Sequence, residues 1–250
     1  MLKRMKDRSE LNKKMGIVPR VELIKYDCRK CEDREIVLVE QEDGSFSARD
    51  CECKAQKIQK RMFRASGLSE EQDRLMISDY KPSQDTMKMY QMAKRYIDLR
   101  QWEEGKGFAL FGSVGIGKTM LAQIIASEIM RSKKSVIFVP TTSLMAELRS
   151  SQFSEDRSDF EQRIEKLINA DVVIFDDVGK EKPTGWVQDQ YFRIVDGRYN
   201  NKKATGFTSN YEFDELEKRF SEFGEAIVSR FISMTRDYAV NIQADDWRRR

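Results

Sequence analysis

Residues 112–119 read Gly112-Ser113-Val114-Gly115-Ile116-Gly117-Lys118-Thr119, a GxxxxGK[ST] pattern. The spacing has a mechanical meaning. Glycines let successive backbone N–H groups turn inward around an anion, Lys118 reaches the β- and γ-phosphates, and Thr119 offers its hydroxyl to Mg²⁺. The helix that follows aims the positive end of its dipole at the same anion. The pattern carries this meaning only between a strand and a helix, and its flanks supply both. Gly107–Phe111 is a short apolar run, and Lys118–Arg131 repeats apolar residues at helical spacing. Residues Gly112 to Met120 are therefore expected to bind a nucleoside triphosphate, ATP, together with Mg²⁺.

Such a site needs an acid at the tip of a neighbouring buried strand. Val172-Val173-Ile174-Phe175-Asp176-Asp177 provides one. Four apolar residues without alternation mark a strand covered on both faces. Asp176 is expected to hold Mg²⁺ with Thr119, and Asp177 to polarise the attacking water. An Asp at that second position is one methylene shorter than a Glu, so slow, conditional hydrolysis is expected. Further on, Phe207-Thr208-Ser209-Asn210 ends another apolar run. If that strand lies between the two motif strands, Asn210 faces the γ-phosphate; the alternative is a cap on the helix that follows. Ser229-Arg230 follows the apolar stretch Ala226-Ile227-Val228. A guanidinium there would reach a neighbouring subunit's γ-phosphate rather than its own. Arg236 is a weaker candidate for that role, and Arg198 reads as a structural or an interface arginine.

Working outward, apolar runs alternate with amphipathic stretches from residue 84 to residue 242. Strands are expected at Val136–Val139, Ala204–Thr208 and Tyr238–Ile242, and helices at 84–101, Thr141–Ser150, Ser158–Asn169, Gln188–Tyr199, Asp214–Phe220 and Glu225–Phe231. This order implies a parallel sheet with helices on both faces. The chain ends soon after the last strand, so no helical lid is expected behind it.

The N-terminal quarter differs in kind. All four cysteines lie there, as Cys28-x₂-Cys31, nineteen residues, then Cys51-x-Cys53. Residues 1–66 carry 17 Lys and Arg against 12 Asp and Glu, whereas residues 67–250 carry 28 against 30. The overall charge of +3 thus conceals a basic module at 1–66 and a slightly acidic one at 67–250. Glu35–Glu40 and Ser45–Ala48 can pair across the turn Glu42-Asp43-Gly44, and a helix can run from Cys53 to Arg64. A knuckle, a hairpin and a helix with ligands at its start make a four-thiolate zinc site, which a module this small needs as a staple. A disulfide reading suits neither a reducing compartment nor the tight ring that Cys-x-Cys would close.

The chain has no histidine, which excludes Ser-His-Asp and Cys-His catalysis, an HExxH metal site and mixed Cys/His zinc ligation. No apolar run is long enough for a membrane span, and the N-terminus lacks the apolar region of a signal peptide. A cytoplasmic protein is expected. The basic helix Lys54, Lys57, Lys60, Arg61 and Arg64 reads as a solvated face or as a contact for DNA phosphates. Arg149, Phe153 and Arg157 read as part of an amphipathic surface helix, or, combining cations with an aromatic ring, as a contact for single-stranded DNA.

Taken together, the phosphate loop, Asp176-Asp177-Val178-Gly179, Thr208-Ser209-Asn210-Tyr211 and Ser229-Arg230 resemble the AAA+ ATPases, within the DnaC/DnaI helicase-loader branch that also includes the transposase helper IstB. The resemblance covers residues 66–250, and the cysteine module extends it toward DnaI-like loaders. It implies a five-stranded parallel AAA+ core, Asn210 as the polar sensor of the γ-phosphate, and Arg230 as an arginine finger acting in trans between like subunits. It further implies that residues 1–66 dock on a DnaB-type replicative helicase and that the whole deposits that helicase on single-stranded DNA. An IstB-like transposase helper, or an ATP-binding adaptor that hardly hydrolyses, would share the same core.

Overall fold

The computed structural model describes residues 26–152, 158–244 and 246. It divides into two compact units, one ending at Lys57 and the other beginning at Ile58. The division falls inside the helix Glu52–Ser66, at whose end the charge asymmetry of the sequence had placed the joint.

In the first unit β1 (Ile36–Glu40) pairs antiparallel with β2 (Phe46–Asp50), in the register Ile36 to Asp50 and Glu40 to Phe46. The connecting turn is closed by the Gln41 N–H on the Ser45 carbonyl (2.7 Å) and the Gly44 N–H on the Gln41 carbonyl (3.0 Å). Side chains alternate across the ribbon, so Ile36, Leu38 and Phe46 share one face. All three are exposed, Leu38 to 71%. Helix α1 (Glu52–Ser66) starts directly after Cys51.

After the end of α1 the second unit continues with a short helix, α2 (Glu70–Asp73), which Ser69 and Gln72 close with reciprocal cap bonds. Then follow α3 (Met87–Asp98), β3 (Phe108–Gly112), α4 (Lys118–Arg131), β4 (Val136–Pro140), α5 (Thr141–Gln152), α6 (Ser158–Asn169), β5 (Val172–Val178), α7 (Gly185–Asn200), β6 (Ala204–Ser209), α8 (Phe213–Phe220), α9 (Gly224–Thr235) and β7 (Ala239–Ile242). Every strand expected from the sequence is present. The five strands pair in parallel in the order β4-β5-β6-β3-β7. β6 therefore lies between the two motif strands, the condition on which the reading of Asn210 depended.

Alternation along the strands builds two cores. Phe108, Leu110, Phe138 and Ile174 point toward Met89, Ala93 and Tyr96 of α3 and Leu121, Ile124 and Ile125 of α4. Phe111, Val139, Val173 and Phe175 point the other way, toward α5 to α9, where Leu144, Ile164, Tyr191, Leu216 and Phe231 meet them. A sheet buried on both faces reads as unbroken apolar runs, which is why β3, β4 and β5 were legible. β5 runs past its apolar core to Val178, and its pairing with β6 is irregular between Phe175 and Val178. That bulge falls on Asp176 and Asp177. Among the described residues no helix is long and apolar enough to cross a membrane.

Candidate nucleotide site and metal centre

The sheet delivers its chemistry at the C-terminal ends of β3, β5 and β6, where an open α/β sheet has its crevice. After β3 the loop turns with positive φ at Gly112, Gly115 and Gly117. Gly117, at φ +90°, is the residue from which α4 springs, and a side chain there would strike the Tyr80 ring. Lys118, the first helical residue, is almost fully buried. Its Nζ donates to the carbonyls of Gly112 (2.8 Å) and Ser113 (2.7 Å) and to Oδ1 of Asn210 (2.8 Å). Asn210 thus stands beside Lys118, and the cap position of α8 is Glu212.

Asp176 is buried and held by two hydroxyls. Thr119 Oγ1 donates to it at 2.9 Å and Thr208 Oγ1 at 2.7 Å. Burial pushes its carboxyl above the usual range, against the pull of those two donors. Thr119 and Asp176 form a pair of hard oxygen ligands beside the loop, which fits Mg²⁺. Asp177 sits in the left-handed region at φ +60°. Its N–H donates to Thr208 Oγ1 (2.9 Å) and its carbonyl accepts from Thr141 Oγ1 (3.0 Å). A shallow hollow of about 360 Å³ is walled by the loop, Thr119, Asp177, Lys180 and Asn210. Ile116 is buried beneath the loop and Val114 stands exposed on it.

Two neighbouring hollows were not read from the sequence. One, of about 360 Å³, lies against the loop at Ile116, Gly117 and Met120 and is walled by Tyr80 and Thr86. The Tyr80 hydroxyl donates to the Ile116 carbonyl at 3.1 Å. The other, of about 700 Å³, is lined by Met145, Arg149, Lys180, Glu181, Lys182 and Val187 among others. The Arg149 guanidinium lies 5.1 Å from the Trp186 ring centre. Phe153 and Arg157, the other residues expected to meet single-stranded DNA, lie outside the described residues.

Arg230 is tied to α7 and to its own helix. Nε donates to Asp196 (2.6 Å), Nη1 donates to the Ala226 carbonyl (2.9 Å), and the guanidinium lies 4.9 Å from the Phe192 ring centre. Arg198 is settled as structural: fully buried, it donates to the carbonyls of Leu167, Ala170 and Ala204 and to Thr205 Oγ1. Burial pulls its pKa down to about 9, so it stays charged at neutral pH.

In the first unit the sulfur atoms of Cys28, Cys31, Cys51 and Cys53 all lie within 4.8 Å of one another. Cys28 and Cys51 are 3.7 Å apart, and Cys31 and Cys53 3.4 Å. A Zn–S bond of about 2.3 Å requires tetrahedral sulfurs roughly 3.8 Å apart, so the cluster fits the ion. The Cys31 N–H holds the Cys28 thiol down, to about 7, whereas partial burial raises that of Cys53. Asp33, absent from the sequence reading, braces the knuckle. It accepts from the N–H groups of Asp27 and Cys28 (3.0 Å each) and from Lys57 Nζ (2.6 Å). Lys57 is thereby committed to an ion pair, and so is Lys54, which meets Asp50 at 2.7 Å.

The profile of the IstB-like ATP binding proteins matches residues 34–250. The chain belongs to this family. It is 28% identical to the phage-like element PBSX protein XkdC of Bacillus subtilis, over 88% of this chain and 83% of that one. It is 26% identical to the replicative helicase loader DnaC of Escherichia coli K12, over 75% of this chain and 77% of that one. The crystal structure of DnaI superposes with a TM-score of 0.57 at 26% identity, covering 71% of this chain and 95% of that one. The core of this IstB-like chain is thus the AAA+ fold of the helicase loaders, and a four-cysteine module accompanies it.

Proposed function

We propose that the protein is an ATP-dependent loader that places a DnaB-type replicative helicase on single-stranded DNA when replication starts. The observation that carries this reading is the assembly of Lys118, Thr119, Asp176 and Asn210 from three strand ends, in a chain whose relatives include proteins named as helicase loaders. Lys118 would bind the β- and γ-phosphates and Thr119 and Asp176 would hold Mg²⁺. Asp177 would polarise the attacking water, and Asn210 would sense the γ-phosphate. The hollow beside Tyr80 and Met120 suits the base, having apolar walls and a few polar groups. Arg149, Lys180, Lys182 and Trp186 offer cations and an aromatic face to single-stranded DNA. The protein would act as a like-subunit assembly, with Arg230 reaching a neighbour's nucleotide.

In this reading residues 1–66 dock on the helicase and residues 67–250 are the ATPase. Cys28, Cys31, Cys51 and Cys53 hold one zinc ion, which fixes the hairpin whose Ile36, Leu38 and Phe46 face solvent. Exposed apolar residues grouped on one ribbon face are what a partner surface covers. The test is capture of a purified DnaB-type helicase by the full chain with ATP. Wild type should capture it, and Leu38→Asp should not while still binding ATP. The family's IstB-like character favours a second reading, a transposase helper. No capture of helicase by wild type, together with capture of an IS21-type transposase, would select it.

A further inference from the structure

The turn that follows the two acids is held with unusual thoroughness. The Lys180 N–H closes it on the Asp177 carbonyl at 3.2 Å. Gly179, at φ +88°, donates its N–H to Glu181 Oε1 (3.2 Å) and accepts Arg219 Nε on its carbonyl (2.9 Å). Glu181 is buried, and its second oxygen accepts from Thr141 Oγ1 at 2.8 Å. The backbone of the turn is therefore fixed on three sides. The side chain of Lys180, by contrast, is exposed to 64%. It reaches back so that Nζ meets Oδ2 of Asp177 at 3.2 Å.

Lys180 also stands on the wall shared by two hollows. It lines the phosphate-loop hollow with Lys118, Thr119 and Asn210, and the wider hollow with Arg149 and Lys182. A cation at that boundary has two anions within its range, the Asp177 carboxylate and any phosphodiester in the wider hollow. Its pair with Asp177 is partly exposed on both sides, and such pairs are weak. A phosphate that also engages Arg149 and Lys182 competes with it on favourable terms.

We propose that Lys180 is a brake on hydrolysis that single-stranded DNA releases. Paired with Lys180, one oxygen of Asp177 is withheld from water. When a phosphodiester enters beside Arg149 and Lys182, the ammonium turns to it and the carboxylate is freed. Lys180 is a positioning residue here, acting through Asp177. The inference rests on the reading of Asp177 as the water-polarising acid and of the wider hollow as the DNA site.

The test is steady-state ATPase of the full chain, with and without an oligodeoxythymidylate, and ATP binding measured separately with a fluorescent analogue. Lys180→Ala should raise DNA-free turnover roughly two- to fivefold, the range open to a pair so exposed, and blunt stimulation by the oligonucleotide. Lys180→Arg, which keeps a cation on the same turn, should restore the response to DNA. DNA-free turnover of Lys180→Ala at or below wild type overturns the brake, as does undiminished stimulation. Loss of ATP binding in Lys180→Ala overturns it too, by making Lys180 a nucleotide ligand. A wild type that binds no ATP sinks the ATPase reading itself, whereas active wild type with an indistinguishable Lys180→Ala sinks only the brake.

Discussion

At the scale of the residue, burial and function oppose each other at Asp176. Its folded pKa lies above the unfolded value. The folded state therefore binds that proton more tightly and gains stability as pH falls through the raised pKa. At neutral pH the ionised carboxylate costs stability, a cost that Mg²⁺ would offset. Asp176→Asn should raise the Tm of the nucleotide-free protein and abolish Mg²⁺-dependent turnover; a lower Tm would show that the two threonine hydroxyls outweigh desolvation. Lys118→Ala should reduce ATP binding to background, since its ammonium is the group expected to bind the β- and γ-phosphates; unchanged binding in a titration would remove the phosphate-loop assignment. Arg198 is the converse case, a buried charge with no part in the chemistry. Replacing it by Met strands carbonyls of the α6–β5 and α7–β6 connections and should cost about 3–5 kcal/mol, read as a lower urea midpoint with unchanged ATP binding per folded molecule.

At the scale of the element, the cysteine hairpin is a ribbon of two five-residue strands, too small to be stable alone. Ile36, Leu38 and Phe46 point outward and Val37 and Val39 are only half-buried, so on the zinc proposal the metal would supply the missing stability. One zinc per chain should be found by elemental analysis of reduced protein, released in step with titration of four thiols. A metal-free protein with the same circular dichroism would defeat the four-thiolate site. This knuckle and the five strands were legible because their signals are local: cysteine spacing, apolar runs, and acids or hydroxyls at strand tips. The segment from Leu68 to Thr86 was not legible. Its anchors are long-range and involve backbone groups, as when Ser127 Oγ meets the Gln72 carbonyl or Arg131 meets those of Asp73 and Leu75. Such bonds leave no periodicity in the sequence. Lys180 was missed for a related reason. Its meaning depends on a turn that Glu181 and the distant Arg219 help to fix, and a lysine in a polar loop carries no signal by itself.

At the scale of the whole molecule, the proposal that Arg230 acts in trans makes the site incomplete within one chain. The partners of Arg230 are Asp196, Ala226 and the Phe192 and Tyr199 rings, none of them part of the phosphate site. Nη2 has no hydrogen-bond partner among the described residues. In the proposed like-subunit assembly, a guanidinium held by Nε and Nη1 would have this last nitrogen to offer a neighbour's γ-phosphate. Arg230→Ala should bind ATP normally and lose about a thousandfold in turnover, the lower end of what a guanidinium on a γ-phosphate supplies. Mixing gives the sharper experiment. Lys118→Ala lacks a working nucleotide site but keeps its arginine; Arg230→Ala keeps the site and lacks the arginine. Each should be inactive alone. In a mixture, an Arg230→Ala site facing a Lys118→Ala neighbour would be whole again, so activity should reappear and pass through a maximum as the ratio varies. An arginine that serves only its own chain, by bracing α9 against α7, would give no recovery at any ratio and a lowered Tm for Arg230→Ala.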